Sequence, residues 1–253
     1  MARGLFTLIP SESKQLIAKG VVALPEVQHA LKNGRIIIGL GSTNGYIVQE
    51  LLGKKIDAEH HVAGWITGGE LQTQARELRP KGTVLIKGES VDMEAEDVIK
   101  DFTVDDVMVK GANALDVSGV AGVLMASEVG GTVGKVIGIL AARGSHLIVP
   151  VGLEKLIPSV DIAVEMLGIE RIDYALGKKV GMMPLAFGRV ITEIDALDIL
   201  FGVKAVHVAS GGVLGSEGAV TIGVEGDAKP VEKVMDLIKL IKGDKTVAQR
   251  RFV

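Results

Sequence analysis

The sequence predicts an α/β fold: a doubly wound, mostly parallel sheet over residues 1–176, then a ferredoxin-like α+β unit over residues 177–253. Three observations predict it. Short β-branched runs alternate with segments of helical period. Glycine-rich or polar loops follow several of those runs, at 39–45, 67–70, 110–116 and 130–135. From about Gly177 the order becomes β-α-β-β-α, with a last strand expected at 247–253.

Residues 11–33 read as two short helices. Ser11-Glu12-Ser13-Lys14 suits a helix start, Pro25 stands where a missing N–H costs nothing, and Asn33-Gly34 ends the second helix. Arg35-Ile36-Ile37-Ile38 is a buried strand. It breaks at Gly39 and Gly41 and offers Ser42, Thr43 and Asn44, residue types that cap helices. The amphipathic run that follows completes a βα unit ending near Gly53. The first N–H groups and the dipole of such a helix favour an anion.

His61 to Ile66 reads as a short second strand, Thr67-Gly68-Gly69-Glu70 as a loop, and Leu71 to Leu78 as a short helix. Thr83 to Gly88 is a strand in a hairpin or edge excursion, and Glu94 to Lys100 a polar loop or short helix. Asp106 to Val109 is a strand running into the polar loop Lys110-Gly111-Ala112-Asn113-Ala114-Leu115-Asp116. Gly130-Gly131-Thr132 opens a helix that Gly144 ends. His146 to Gly152 is a strand followed by Glu154 and Lys155, and Val160 to Leu167 a short helix. In the tail, Thr192 and Asp195 occupy capping-box-like positions, and Pro230 to Lys242 is a helix with one apolar face.

Composition narrows the function classes. Hydrophobic residues make up 47% of 253, enough for a well-buried core, and aromatic residues 3%, so that core is aliphatic. A net charge of −3 without clustered Lys and Arg argues against a nucleic-acid surface. The longest apolar stretch, Val117 to Leu140, carries Glu128 and Lys135 and is glycine-rich, so it reads as buried protein and not a membrane span. The N-terminus is too short and mixed for a signal peptide, and a cytoplasmic location is the expectation. The absence of cysteine removes thiol nucleophiles and Cys-ligated metals.

The cofactor motifs fail on spacing. Gly39-Leu40-Gly41 begins a dinucleotide fingerprint, but Asn44 stands at its third glycine and no acid closes the next strand. Gly130-Gly131-Thr132-Val133-Gly134-Lys135-Val136 falls one residue short of a P-loop and puts Val136 where Ser or Thr would bind magnesium. His60-His61 lacks a carboxylate at ligand spacing. No cofactor and no metal are expected.

The order helix, strand, Gly39-x-Gly41-Ser42-Thr43, glycine-rich second loop, Lys110 to Asp116, Gly130-Gly131 and a helix, then a strand ending near Lys155, resembles ribose-5-phosphate isomerase and its wider superfamily. That superfamily includes glucosamine-6-phosphate deaminases, CoA transferases and the effector-binding domains of sugar-responsive repressors. The ferredoxin-like tail is a further similarity. Three departures bear on chemistry. The first glycine loop is shorter than the isomerase's. Of the carboxylates in the isomerase's Asp-Gly-Ala-Asp-Glu-Val-Asp loop, the acid at Asp116 survives, while Lys110 and Asn113 replace others. The position of the isomerase's catalytic glutamate, just before Lys135, is Gly134. The resemblance implies a site for a phosphorylated sugar or similar anion and does not carry the isomerase mechanism with it.

The expected site is therefore a small anionic metabolite bound by Gly41, Ser42, Thr43, Asn44, Gly45, Thr67, Gly68, Gly69, Lys110, Asn113, Gly130, Gly131, Thr132 and Lys135. In the enzyme version Asp116 or Glu128 moves a proton beside a carbonyl; Glu154 is a further candidate base if buried. The alternative is a non-catalytic ligand-sensing module. A homo-oligomer is the expected assembly.

Overall fold

The computed structural model describes residues 1–243; the strand expected at 247–253 lies outside them. In chain order the elements are β1 (Ala2–Leu8), α1 (Pro10–Val22), α2 (Pro25–Asn33), β2 (Arg35–Ile38), α3 (Ser42–Leu52), β3 (Gly64–Thr67), β4 (Glu70–Thr73), β5 (Thr83–Ile86), β6 (Glu89–Val91), α4 (Ala95–Val98), β7 (Val107–Val109), β8 (Ala114–Asp116), β9 (Ala121–Met125), α5 (Gly131–Arg143), β10 (His146–Pro150), β11 (Leu156–Ile157), α6 (Val160–Met166), β12 (Gly181–Leu185), β13 (Arg189–Ile191), α7 (Glu193–Phe201), β14 (Lys204–Gly211), β15 (Ala219–Gly226) and α8 (Ala228–Gly243). The chain is a mixed α/β protein with several sheets.

The central sheet runs β13-β10-β7-β2-β5-β6. β13, β10, β7 and β2 are parallel; β5 and β6 add an antiparallel hairpin at one edge. Its strands are apolar on both faces. Ile36, Ile38, Val107, Val109 and Ile148 join Ile17, Val27 and Ile47 of α1, α2 and α3 in one core. The alternate residues Ile37, Met108, Leu147 and Val149 join Val133, Val136 and Leu140 of α5 in another. Parallel strands buried on both faces need such continuous apolar runs.

A second sheet, β11-β8-β9-β12, takes the chain away from the first after β7. A three-stranded antiparallel sheet, β1-β15-β14, packs against α7 and α8. β3 and β4 form a separate hairpin.

Several expectations change here. β1 has no helical or turn signal and pairs with β15 along its whole length, from Ala2↔Gly226 to Leu8↔Val220. Leu71 to Leu78 forms β4 and a 3₁₀ turn at Arg76–Leu78 instead of a helix, because Gly68 and Gly69 take positive φ (59° and 81°) and close a tight hairpin. β13 joins the central sheet beside β10, and β12 pairs with β9, so strands on the far side of residue 176 complete sheets begun before it.

The helix signals are seen in detail. Thr192 Oγ1 accepts from the N–H groups of Ile194 and Asp195, and Asp195 accepts from Thr192 N. Gly53 and Gly144 end α3 and α5 in the left-handed conformation that a side chain disfavours. Among the described residues no helix is long and apolar enough to cross a membrane.

Candidate functional site

The carboxyl ends of β2, β7 and β10 meet the start of α3. Gly41 is the N-cap of α3, so Ser42, Thr43 and Asn44 lie inside its first turn and do not cap it. Asn44, fully buried, donates from Nδ2 to Gly39 O at 2.8 Å and closes the β2–α3 turn. Gly41 N–H donates to His61 O at 2.7 Å. Among the described residues the N–H groups of Ser42, Thr43 and Asn44 have no acceptor, and neither has Asn44 Oδ1 a donor. Gly45 brings α3 against the chain at Ala58: a Cβ there would lie 2.7 Å from Ala58 Cα.

Lys110 follows β7 directly, its N–H held by Ile148 O of β10 at 2.9 Å. Its side chain passes Gly39, where a Cβ would sit 3.4 Å from Lys110 Cδ, and Nζ donates to Gly111 O at 3.0 Å. A Cβ on Gly111 would in turn lie 3.5 Å from Asn44 Oδ1, so the α3 start and the β7 end share one small space. Lys155, in the 3₁₀ turn Leu153–Lys155 after β10, donates to Ala112 O at 3.0 Å. Lys14, from the second turn of α1, completes a group of three half-buried lysines.

None of these lysines forms an ion pair within the described residues. Their charges oppose one another. Burial, then the charge of Lys155, pulls the Lys110 amine down to about 8. Burial and Lys155 also lower Lys14, while Glu154 and Glu59 act in the opposite direction. A lysine near the positive end of a helix, as Lys14 is, gains nothing from the helix dipole. Lysines gathered without an ion pair in this way suit an external anion.

Two carboxylates border the lysines. Glu154 folds back over Gly152, in space that any side chain at 152 would occupy, and its Oε2 is buried without a partner. Glu193, at the first position of α7, is fully buried and accepts from Leu153 N at 3.0 Å. Burial pushes its carboxyl up to about 7, with Glu154 adding to the effect. Glu193 thus anchors the turn that carries Glu154 and Lys155. His61 is lowered by burial, and its Nε2 is buried without a partner, whereas His60 is exposed and paired with Asp57.

The structure brings together Gly41, Ser42, Thr43, Asn44, Gly45 and Lys110, and puts the other expected residues elsewhere. Thr67, Gly68 and Gly69 form the exposed tip of the β3–β4 hairpin. Gly130, Gly131 and Thr132 open α5 after β9 of the second sheet, and Lys135 pairs with Glu96 of α4 at 2.6 Å. No hydrogen bond or ion pair of the described residues links either place to Asn44 or Lys110. Asn113 braces the β8–β9 hairpin by accepting from Leu124 N at 3.0 Å.

Asp116 accepts from Ser118 Oγ and N, Val120 N and Val160 N, which together hold its carboxyl down to about 2, the Ser118 hydroxyl contributing most. Such a carboxylate is a brace between the β8–β9 turn and the start of α6 and a poor base. Glu128 is exposed in the turn before α5. An open surface depression lined by Asp173, Tyr174, Leu176, Gly177 and Lys179 includes none of the residues expected from the sequence.

Sequence reasoning named Glu154 and Lys155 as strand-end residues but did not gather them with Lys14 and Glu193. Lys14 is 96 residues from Lys110, and nothing local joins them. The legible signal was positional: Lys110 and Lys155 each stand just past a strand of the parallel sheet. Among the described residues no group of His, Asp and Glu is arranged to hold a metal ion. Comparisons with protein-family models, with curated proteins and with solved structures give no match.

Proposed function

We propose that this chain binds a small phosphorylated or otherwise anionic metabolite of the sugar-phosphate type, at the carboxyl ends of β2, β7 and β10. The observation that carries the reading is the group Lys14, Lys110 and Lys155, three half-buried lysines without an ion pair among the described residues, set beside the first turn of α3, whose buried Asn44 Oδ1 has no donor. An anion in that space would accept from the lysines and from the N–H groups of Ser42, Thr43 and Asn44. The ends of parallel strands are the usual ligand edge of an α/β sheet. The doubly wound and ferredoxin-like architecture of the resemblance belongs to this same reading, as does assembly into a homo-oligomer, which light scattering tests directly.

The enzymatic form of the proposal is an isomerase-like proton transfer. Glu154, with an unpartnered carboxylate oxygen at the lysine group, is better placed for it than Asp116 or Glu128. The alternative form, ligand sensing without turnover, draws support from the commitment of Asp116 to backbone bracing. A thermal-unfolding screen against sugar phosphates, nucleotides and CoA esters tests the binding claim; a saturable rise with one class is the expected result. Silence across all phosphorylated compounds would sink it. Solvent deuterium entering a carbon-bound position of the ligand would select the enzymatic form.

A further inference from the structure

We propose that the open edge of β3 pairs, across a two-fold axis, with the same edge of a second copy of this chain, joining the two β3–β4 hairpins into one antiparallel sheet. This pairing rests on the homo-oligomer of the reading above, names the surface that forms it, and does not depend on the anion site. β3 and β4 make a sheet of two strands, and such a ribbon is marginal by itself and gains from a further strand. One side of the ribbon is already taken: Leu71 of β4 bridges to Gly177, and its carbonyl accepts from Lys178 N at 2.9 Å. The other side, along β3, has no neighbour among the described residues.

The edge strands of the structure are not equivalent. An edge offers unpaired N–H and C=O groups, and native chains blunt it with charge, proline, a bulge or a very short strand. Among the described residues every other edge strand has such a device. β1 carries Arg3, β6 Glu89 and β13 Arg189. β14 carries Lys204 and a register shift between His207 and Ala209. β12 contains Pro184, β11 is two residues long with Pro158 next, and β4 carries Glu70 beside its bridge to Gly177. β3, Gly64-Trp65-Ile66-Thr67, has no charge, no proline and no register shift, and all of its residues are exposed.

The hairpin also fixes the register. Its two-residue turn, Gly68-Gly69, makes Thr67 and Glu70 the closing pair, which exchanges both backbone bonds, and the alternation repeats that exchange at Trp65 and Gln72. The bond from Gln74 N to Ala63 O at 2.9 Å keeps the same step. The N–H and C=O groups of Gly64 and Ile66 therefore face the open edge. An axis at Trp65 sets Gly64 against Ile66 of the second copy, and Ile66 against its Gly64, each pair exchanging both bonds. The two Trp65 side chains then lie directly opposite, in the close, non-hydrogen-bonded position where aromatic pairs stabilise a sheet. Ala63 falls against Thr67, so no like charges meet. Residues 63–67 of each copy make a contact well below the ~800 Å² per partner of a standard interface, so the association is reversible and concentration-dependent.

Sedimentation of the full chain over a concentration series tests it, read together with the emission of Trp65, the chain's single tryptophan. The expected result is a mass that climbs toward two chains, with the emission moving to shorter wavelength in step. Ile66→Pro removes an N–H that faces the open edge and leaves the hairpin's own bonds in place, so its unfolding midpoint stays near the parent's. The two-fold axis counts that loss twice, and association should weaken at least about tenfold. Trp65→Lys keeps every backbone donor and sets like charges opposite each other at the axis, so it should also leave a monomer. An oligomer that persists unchanged in both folded variants overturns the β3 contact and leaves the homo-oligomer standing on another surface. A parent chain that stays monomeric throughout the series removes both.

Discussion

Lys110 keeps an ammonium among carbonyls and another lysine, and that arrangement costs the folded chain stability. Replacing it with methionine keeps the stem that packs along Gly39 and removes the charge. Lys110→Met should raise stability by about 1–2 kcal/mol at neutral pH, part of the cost implied by an amine at about 8. Denaturant unfolding measures it; a variant less stable than the parent contradicts the charge-burial argument. Glu193 makes the opposite prediction with pH. Its carboxyl titrates at about 7 in the fold against the usual 4.5, so between these values the folded chain holds a proton that the unfolded chain has lost. Stability from this group is full below about 4.5 and falls by roughly 2–4 kcal/mol as pH rises to 7. Glu193→Gln should flatten that slope in a stability-against-pH series. An unchanged slope would mean the group does not titrate there. Asp116→Asn, by contrast, should weaken the β8–β9 turn and the α6 start without altering anion affinity, because its carboxylate is already filled by four donors from Ser118, Val120 and Val160.

At the scale of elements, the strongest local signals gave the right elements. The Ile-rich run of β2, the Gly41–Asn44 start of α3, the Thr192 box of α7 and the αL glycines after α3 and α5 are each decided by residues within one or two turns. Thr192→Ala should cost about 1 kcal/mol, read from the unfolding midpoint. What misled was ambiguity between a loop and a turn. Gly68-Gly69 suits a phosphate loop or a two-residue hairpin equally in sequence, and the pairing of Gly64–Thr67 with Glu70–Thr73 decides for the hairpin. Gly45 shows a glycine chosen for space: Gly45→Ala would force α3 away from Ala58 and cost about 2 kcal/mol. Gly39→Ala is the control, since its Cβ would make only ordinary contacts with Lys110 and Val109.

Across the whole molecule, the placement of sheets and of the site depends on contacts far apart in sequence, and these the sequence could not display. β1 pairs with a strand more than two hundred residues away, and β13 returns to lie beside β10. Two of the four expected loops, 39–45 and the start of 110–116, come together because β2 and β7 are parallel neighbours. The loop at 130–135 does not join them because β9 belongs to the second sheet. Lys14, Lys155 and Glu193 enter the site through α1, the turn after β10 and α7, none of which carries a ligand motif. An anion held by these lysines is read by thermal unfolding in a phosphate series that compares the parent chain with a Lys14→Met/Lys155→Met double variant. A saturable rise in the parent and loss of most of it in the variant are expected, since each lysine–phosphate bond is worth about 1.5–3 kcal/mol. An equal rise in both proteins, or none in the parent, would contradict it.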